Sequence, residues 1–272
     1  MKNGSAVATR LPSASGEGLF GHWFWRPVTG AALEWSTTPA WGLLLLATPF
    51  LLALGGLVSA AMGKDAYKYF TGEDGLVENI QVVLYAAALV MSFLVARRLR
   101  AADEKGIAAM YLLLGVGFFF LVGEEVSWGQ RVFGWITPET LREINRQQEI
   151  NLHNLYSTDM VFKWVQLLVG AYGAFLPFLV PRMKLWARYR DKMAFLVPPP
   201  SLALYFFFVF VWRVYRNLVL PPQGLDFFVS EYSEVLELIL AAAFFLFLAY
   251  QLRRMRWRQR MGTGSAEGFS AT

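Results

Sequence analysis

The chain has 272 residues, of which 56% are apolar, 16% aromatic and only 17% charged, with a mean hydropathy of +0.40. Soluble domains carry about 25% charge, so these side chains are too few to cover the surface and part of the solvent is lipid. With no cysteine, a disulfide framework, a thiol nucleophile and a zinc knuckle are excluded. The formal charge of +5 is gathered into short stretches between uncharged runs, the pattern of membrane-flanking loops and not of a nucleic-acid-binding face.

Residues 1–37 read as an N-terminal tail without the apolar core of a cleavable signal peptide. Within it, His22-Trp23-Phe24-Trp25-Arg26 forms an aromatic anchor at headgroup level. A bilayer core of about 30 Å takes roughly 20 helical residues, and six apolar segments reach that length between residues 38 and 252. They are 41–62, with Thr38 and Pro39 at the N-cap and first helical position, then 77–96, 106–125 and 161–180. The fifth, 201–220, follows the Pro198-Pro199-Pro200 run, and the sixth is 233–252. Residues 253–272 are a basic and then disordered tail. The runs are continuous and lack the period-two alternation of barrel strands. The expected fold class is all-α, a polytopic transmembrane helix bundle of about six spans.

Placing the N-terminus inside puts 17 of 25 basic residues on the cytoplasmic side and 14 of 20 acidic residues outside. Both termini are then cytoplasmic. The long external loop is 126–158. In it Thr137-Pro138-Glu139 opens an amphipathic helix through about Gln148, lying on the membrane or packed on the bundle.

Depth along the spans carries the functional signal. Counting about 20 residues from each basic belt puts Glu78 and Gln81, Glu124 and Glu125, and Glu234 and Glu237 in the outer third of the membrane. Arg213 and Arg216 come from the fifth span, and His153 and Asp159 reach the same layer from the loop. A charge near mid-membrane costs about 2.5–3.5 kcal/mol even on the lenient insertion scale. An ion-pair network of Arg213 and Arg216 with Glu234 and Glu237 accounts for part of this set. The excess of acid implies a bound cation, altered protonation or water access.

The segment GEEVSWGQRVFGW, residues 123–135, is the densest in chemistry. If its helix continues, Glu124, Trp128 and Arg131 share a face and Glu125 points about 100° away. Candidate acid, base and charge-stabilising residues are Glu124, Glu125, His153 and Arg131. Trp128, Gln130, Asn151, Asn154 and Arg213 are candidate substrate contacts. Glu78, Glu124, Glu234, Glu237 and His153 are candidate ligands for a divalent metal, Ca, Mg, Mn or Zn, in an oxygen-rich site. No nucleotide-binding or nucleophile-elbow motif is present.

The strings EEVSWGQRVFGW and NRQQEINLHN resemble motifs of an uncharacterised family of bacterial multi-pass inner-membrane proteins, over about 35 residues. The resemblance implies an inner-membrane location and no activity. Alkaline-ceramidase-like hydrolases offer only an analogy of depth, since this chain has one candidate histidine and about six spans. Three readings stay open: a metal-dependent membrane enzyme acting on a lipid or lipid-linked substrate, a cation or solute transporter, and a non-catalytic subunit with a structural ion-pair network.

Overall fold

The computed structural model describes residues 19–72, 75–145, 150–151, 159–219 and 224–267; the side chains of 19–24, 131–132, 144, 159, 185–186, 226 and 259–267 lie outside that description. Among the described residues all regular structure is helical: α1 Leu19–Glu34, α2 Pro39–Ala61, α3 Lys64–Thr71, α4 Leu76–Ala101, α5 Lys105–Glu125, α6 Gln130–Phe133, α7 Glu139–Ile144, α8 Asp159–Leu179, α9 Lys184–Leu196, α10 Ala203–Leu218 and α11 Asp226–Glu267. Five helices are long and apolar enough to cross a membrane, and the bent pair Ala187–Leu196 and Pro200–Leu218 reaches that length and hydropathy only taken together, so the crossings number five or six. The chain is a polytopic helical membrane protein.

Helix α11 is the central strut. It packs against α4, α10 and α2, and Val235, Ile239, Ala241, Ala243 and Leu248 on it are fully buried. A helix apolar on all sides belongs in the interior, and here the interior is made by the last span. The pair α8 and α10 approaches closely at Gly173, where a Cβ would stand 2.0 Å from the Phe206 ring. Without a hydrophobic drive between helices in lipid, such close backbone contact supplies the packing energy.

Prolines free carbonyls that neighbouring helices then satisfy. Pro49 cannot donate to Leu45 O, and the Tyr205 hydroxyl donates to it instead at 2.8 Å. The run Pro198-Pro199-Pro200 removes the donors for three successive carbonyls, and each receives a side chain from a different helix. Gln251 of α11 donates to Ala194 O at 3.0 Å, Tyr111 of α5 to Phe195 O and Tyr172 of α8 to Leu196 O. In a bilayer an unsatisfied backbone group costs several kcal/mol, so the break is tolerated because three helices cap it.

Three expectations need correction. The fifth expected span, 201–220, falls on α10 and the turn before it, and it reaches crossing length and hydropathy only together with α9, from which it bends by 42° across the prolines. The N-terminal segment is no tail beyond residue 18, because α1 packs on α2 with Val28, Ala31 and Ala32 buried. Of the C-terminal residues expected to be disordered, 261–267 continue α11 as helix, since extending an existing helix avoids the cost of a new nucleus, and 268–272 lie outside the described residues.

Candidate functional site

At the end of the bundle opposite the basic belts, four helices supply one polar layer, in which Gln81, Tyr85 and Arg213 are buried and the carboxylates half-buried. From α4 come Glu78, Gln81 and Tyr85, a spacing of three and four residues that places them on one face. Helix α5 brings Glu125, α11 brings Glu234 and Glu237, and α10 brings Arg213. Glu234 lies within electrostatic reach of Glu237, Glu125 and Glu78. The fully buried Tyr85 lies within reach of Glu125, Glu237 and Glu234.

Two contacts tie the layer together. Arg213, only 4% exposed, donates from Nη2 to Glu237 Oε1 at 2.9 Å and from Nε to Gln166 Oε1 on α8. Gln81, with no exposed surface, donates from Nε2 to the Glu234 carbonyl at 2.9 Å and approaches its Oε2 at 3.5 Å. The Gln81 Oε1 accepts no hydrogen bond. A buried acceptor beside a carboxylate, with no donor among the described residues, is costly unless something else provides one. Of the expected network, the Arg213–Glu237 pair forms; Arg216 makes no such pair with a described carboxylate, and its Nε is buried without a partner.

Above this layer the GEEVSWG segment folds back on itself. Helix α5 stops at Glu125, and Ser127, Trp128 and Gly129 take φ of +46°, +54° and +82°. The expected continuous helix is therefore absent. The turn nevertheless joins Glu124 and Trp128, because the indole Nε1 donates to Glu124 Oε1 at 2.7 Å. The ring lies over Gly123, where a Cβ would stand 2.8 Å from it, and packs edge-on against Phe119 and Phe120. Left-handed φ at Ser and Trp is strained, and such strain clusters at functional sites.

Amides hold the rest of the loop to that turn. Gln130 donates to Thr137 Oγ1 and accepts from Ile150 N, both at 2.7 Å. Asn145 donates to Asn151 O and Oδ1 at 2.8 Å, and Asn151 donates to Ser127 Oγ at 3.4 Å. Of the expected loop helix the structure describes α7, six residues long, in place of the run through Gln148. Asn145 has left helical backbone, and 146–149 lie outside the described residues.

The two neighbouring carboxylates thus divide: Glu125 faces the buried layer and Glu124, 2% exposed, faces the loop. Gln130 and Asn151 are loop ties within the protein. His153 and Asn154 lie outside the described residues, as does the Arg131 side chain. Among the described residues no three of His, Asp and Glu are arranged to hold a metal ion; Glu237 is bonded to Arg213 and Glu124 to Trp128. Tyr85 escaped the sequence reading, although its spacing from Glu78 and Gln81 marks it. No protein-family model, curated protein or solved structure matches the chain.

Proposed function

We propose that this is an integral membrane enzyme that performs general acid–base chemistry on a lipid or lipid-linked substrate, entering from the side of the 126–158 loop. The observation that carries the reading is the convergence of Glu78, Glu125, Glu234 and Glu237 on one half-buried layer beside the Arg213–Glu237 pair. Carboxylates crowded in low dielectric hold and release protons more readily near neutrality than solvated ones. The donor-less Gln81 Oε1 beside Glu234 fits a substrate that carries a hydrogen-bond donor. The strained turn and its amide ties form the roof of the site. In this reading the protein sits in a bacterial inner membrane with both termini cytoplasmic, and the site opens to the outer leaflet.

Two alternatives are weaker on specific grounds. A transport path would use buried amides, but Gln81 and Gln166 both bond within the same layer instead of marking a route away from it. A purely structural role accounts for the Arg213–Glu237 pair, and does not account for the Gln81 Oε1 that meets no described donor beside Glu234.

The test compares membrane lipids of cells that carry the wild-type protein, no protein, or Glu125→Gln or Glu234→Gln. Each variant should reproduce the lipid profile of the deletion while expression and Tm stay near wild type. Wild-type profiles in both variants would overturn the reading. Elemental analysis of the purified protein before and after Glu234→Gln separates metal-assisted from metal-free chemistry.

A further inference from the structure

At the opposite end of the bundle, a cavity of about 280 Å³ opens where α4, α9 and α11 meet. Its floor is apolar, made by Leu99, Phe195 and Met255, all at least 91% buried. Its rim carries Arg98, Lys192 and Arg258. Two acids also line it, and each is already matched: Glu104 with Lys192 at 3.2 Å and Asp191 with Arg258.

That leaves positive charge uncompensated. Arg98 spends one N–H on the Leu252 carbonyl at 3.4 Å and makes no ion pair with a described carboxylate. Arg254 stacks its guanidinium 4.7 Å above the Phe195 ring, one helical turn from Arg258, and its buried Nη1 has no acceptor. Three cations against two acids therefore line a notch whose floor is hydrocarbon-like, with Arg254 stacked on the Phe195 of that floor. Helix α4 passes from its apolar run to Arg97 and Arg98 about 20 residues after Val77, which places the notch at the headgroup layer. The neighbouring Trp257 is exposed, as interfacial tryptophans are.

We infer that this notch binds the phosphate of an anionic phospholipid. The cations take the phosphate, and the Leu99, Phe195 and Met255 floor takes the first methylenes of the acyl chains. The volume lies just below the about 300–1,000 Å³ of sites that enclose a drug-sized molecule, so a headgroup enters and the chains remain in the bilayer. Basic pockets between helices at the cytoplasmic surface recognise lipid headgroups by this chemistry. A free phosphate would gain nothing from the apolar floor.

The experiment is thermal unfolding of the purified full-length protein in detergent, with added phosphatidylglycerol, phosphatidylcholine or inorganic phosphate at equal concentration. Phosphatidylglycerol should raise the Tm by several degrees, and the other two should not. The double variant Lys192→Gln, Arg258→Gln should lose at least half of that rise. Arg256→Gln, which removes a charge from the same helix outside the notch, should keep it. Equal shifts with phosphatidylcholine or inorganic phosphate, or an equal loss in Arg256→Gln, would overturn the proposal. Because the double variant removes two ion pairs and can fail to fold, native mass spectrometry of the wild-type protein provides a second readout. One phosphatidylglycerol should stay bound per chain where phosphatidylcholine is shed, and retention of both alike would overturn it.

Discussion

The two ends of the bundle carry charge in opposite ways. At the loop end, Glu78, Glu125, Glu234 and Glu237 are drawn half-buried into one layer with the buried Arg213 among them. At the basic end the cations line an open notch or stand exposed, as Arg253 and Arg256 do. The difference follows from side-chain length. Lys and Arg can lay an apolar stem along the helix and carry the charge to the headgroups, so a basic belt costs little. A glutamate is too short for that, so carboxylates held inside a membrane protein need an offsetting role. An acid at depth is the more informative residue, and a base at the boundary mostly reports topology.

That contrast can be broken or sharpened by substitution. The largest effect is expected at Arg213→Ala, which leaves Glu237 and Gln166 without their buried partner; breaking such a pair costs about 3–5 kcal/mol. Most of the folded protein should be lost, as read by size-exclusion chromatography in detergent. The double change Arg213→Met, Glu237→Leu should recover much of it, because an apolar replacement of a whole buried pair is often neutral. Normal yield of Arg213→Ala would mean that the layer is well hydrated and the contrast is false.

Next come the capped proline breaks. Tyr205→Phe leaves Leu45 O without its donor, a loss of about 1–3 kcal/mol that should appear as a lower Tm. Gly123→Ala pushes a methyl into the Trp128 ring, and overpacking of this kind costs about 1–3 kcal/mol. Function should fall together with stability there, since the turn roofs the site. An unchanged lipid profile in a folded Gly123→Ala protein would detach the turn from the chemistry.

The smallest effect is at the basic end, in the contact of α1 with Ser201 in the short turn just before α10. Glu34 accepts from the Ser201 hydroxyl at 2.9 Å, and the same hydroxyl accepts from Trp35 Nε1 at 2.9 Å. Burial pushes the Glu34 carboxyl up to about 7, against the opposing pull of its bonds from Ser201. The folded protein therefore binds the proton more tightly than the unfolded chain. This contribution to stability is complete below about pH 4.5 and is lost as pH rises through about 7. The Tm should fall by a few degrees across that window, and Glu34→Gln should remove the dependence. A flat profile in both proteins would show that the contact is solvated.

Much of this architecture is written in local properties of the chain. Span length, the basic belts and the depth of each carboxylate depend only on helical rise and on residue order, which is why Glu78, Gln81, Glu125, Glu234, Glu237 and Arg213 could be assigned to one level before any packing was known. Rotation about each helix axis is different in kind. That Glu125 faces the layer while Glu124 is taken by Trp128 depends on the left-handed turn at residues 127–129, and that turn is held by an indole resting on a glycine and by amides from as far away as Asn151. The same holds for the break at Pro198–Pro200: prolines announce freed carbonyls, but only the folded bundle brings Gln251, Tyr111 and Tyr172 to them. The sequence by itself determined the helical class and the level of each charge along its own span, because rise per residue is a property of one helix. Which charges meet, and which helix sits at the centre, were decided by tertiary structure, because interior contacts must be satisfied by several helices at once.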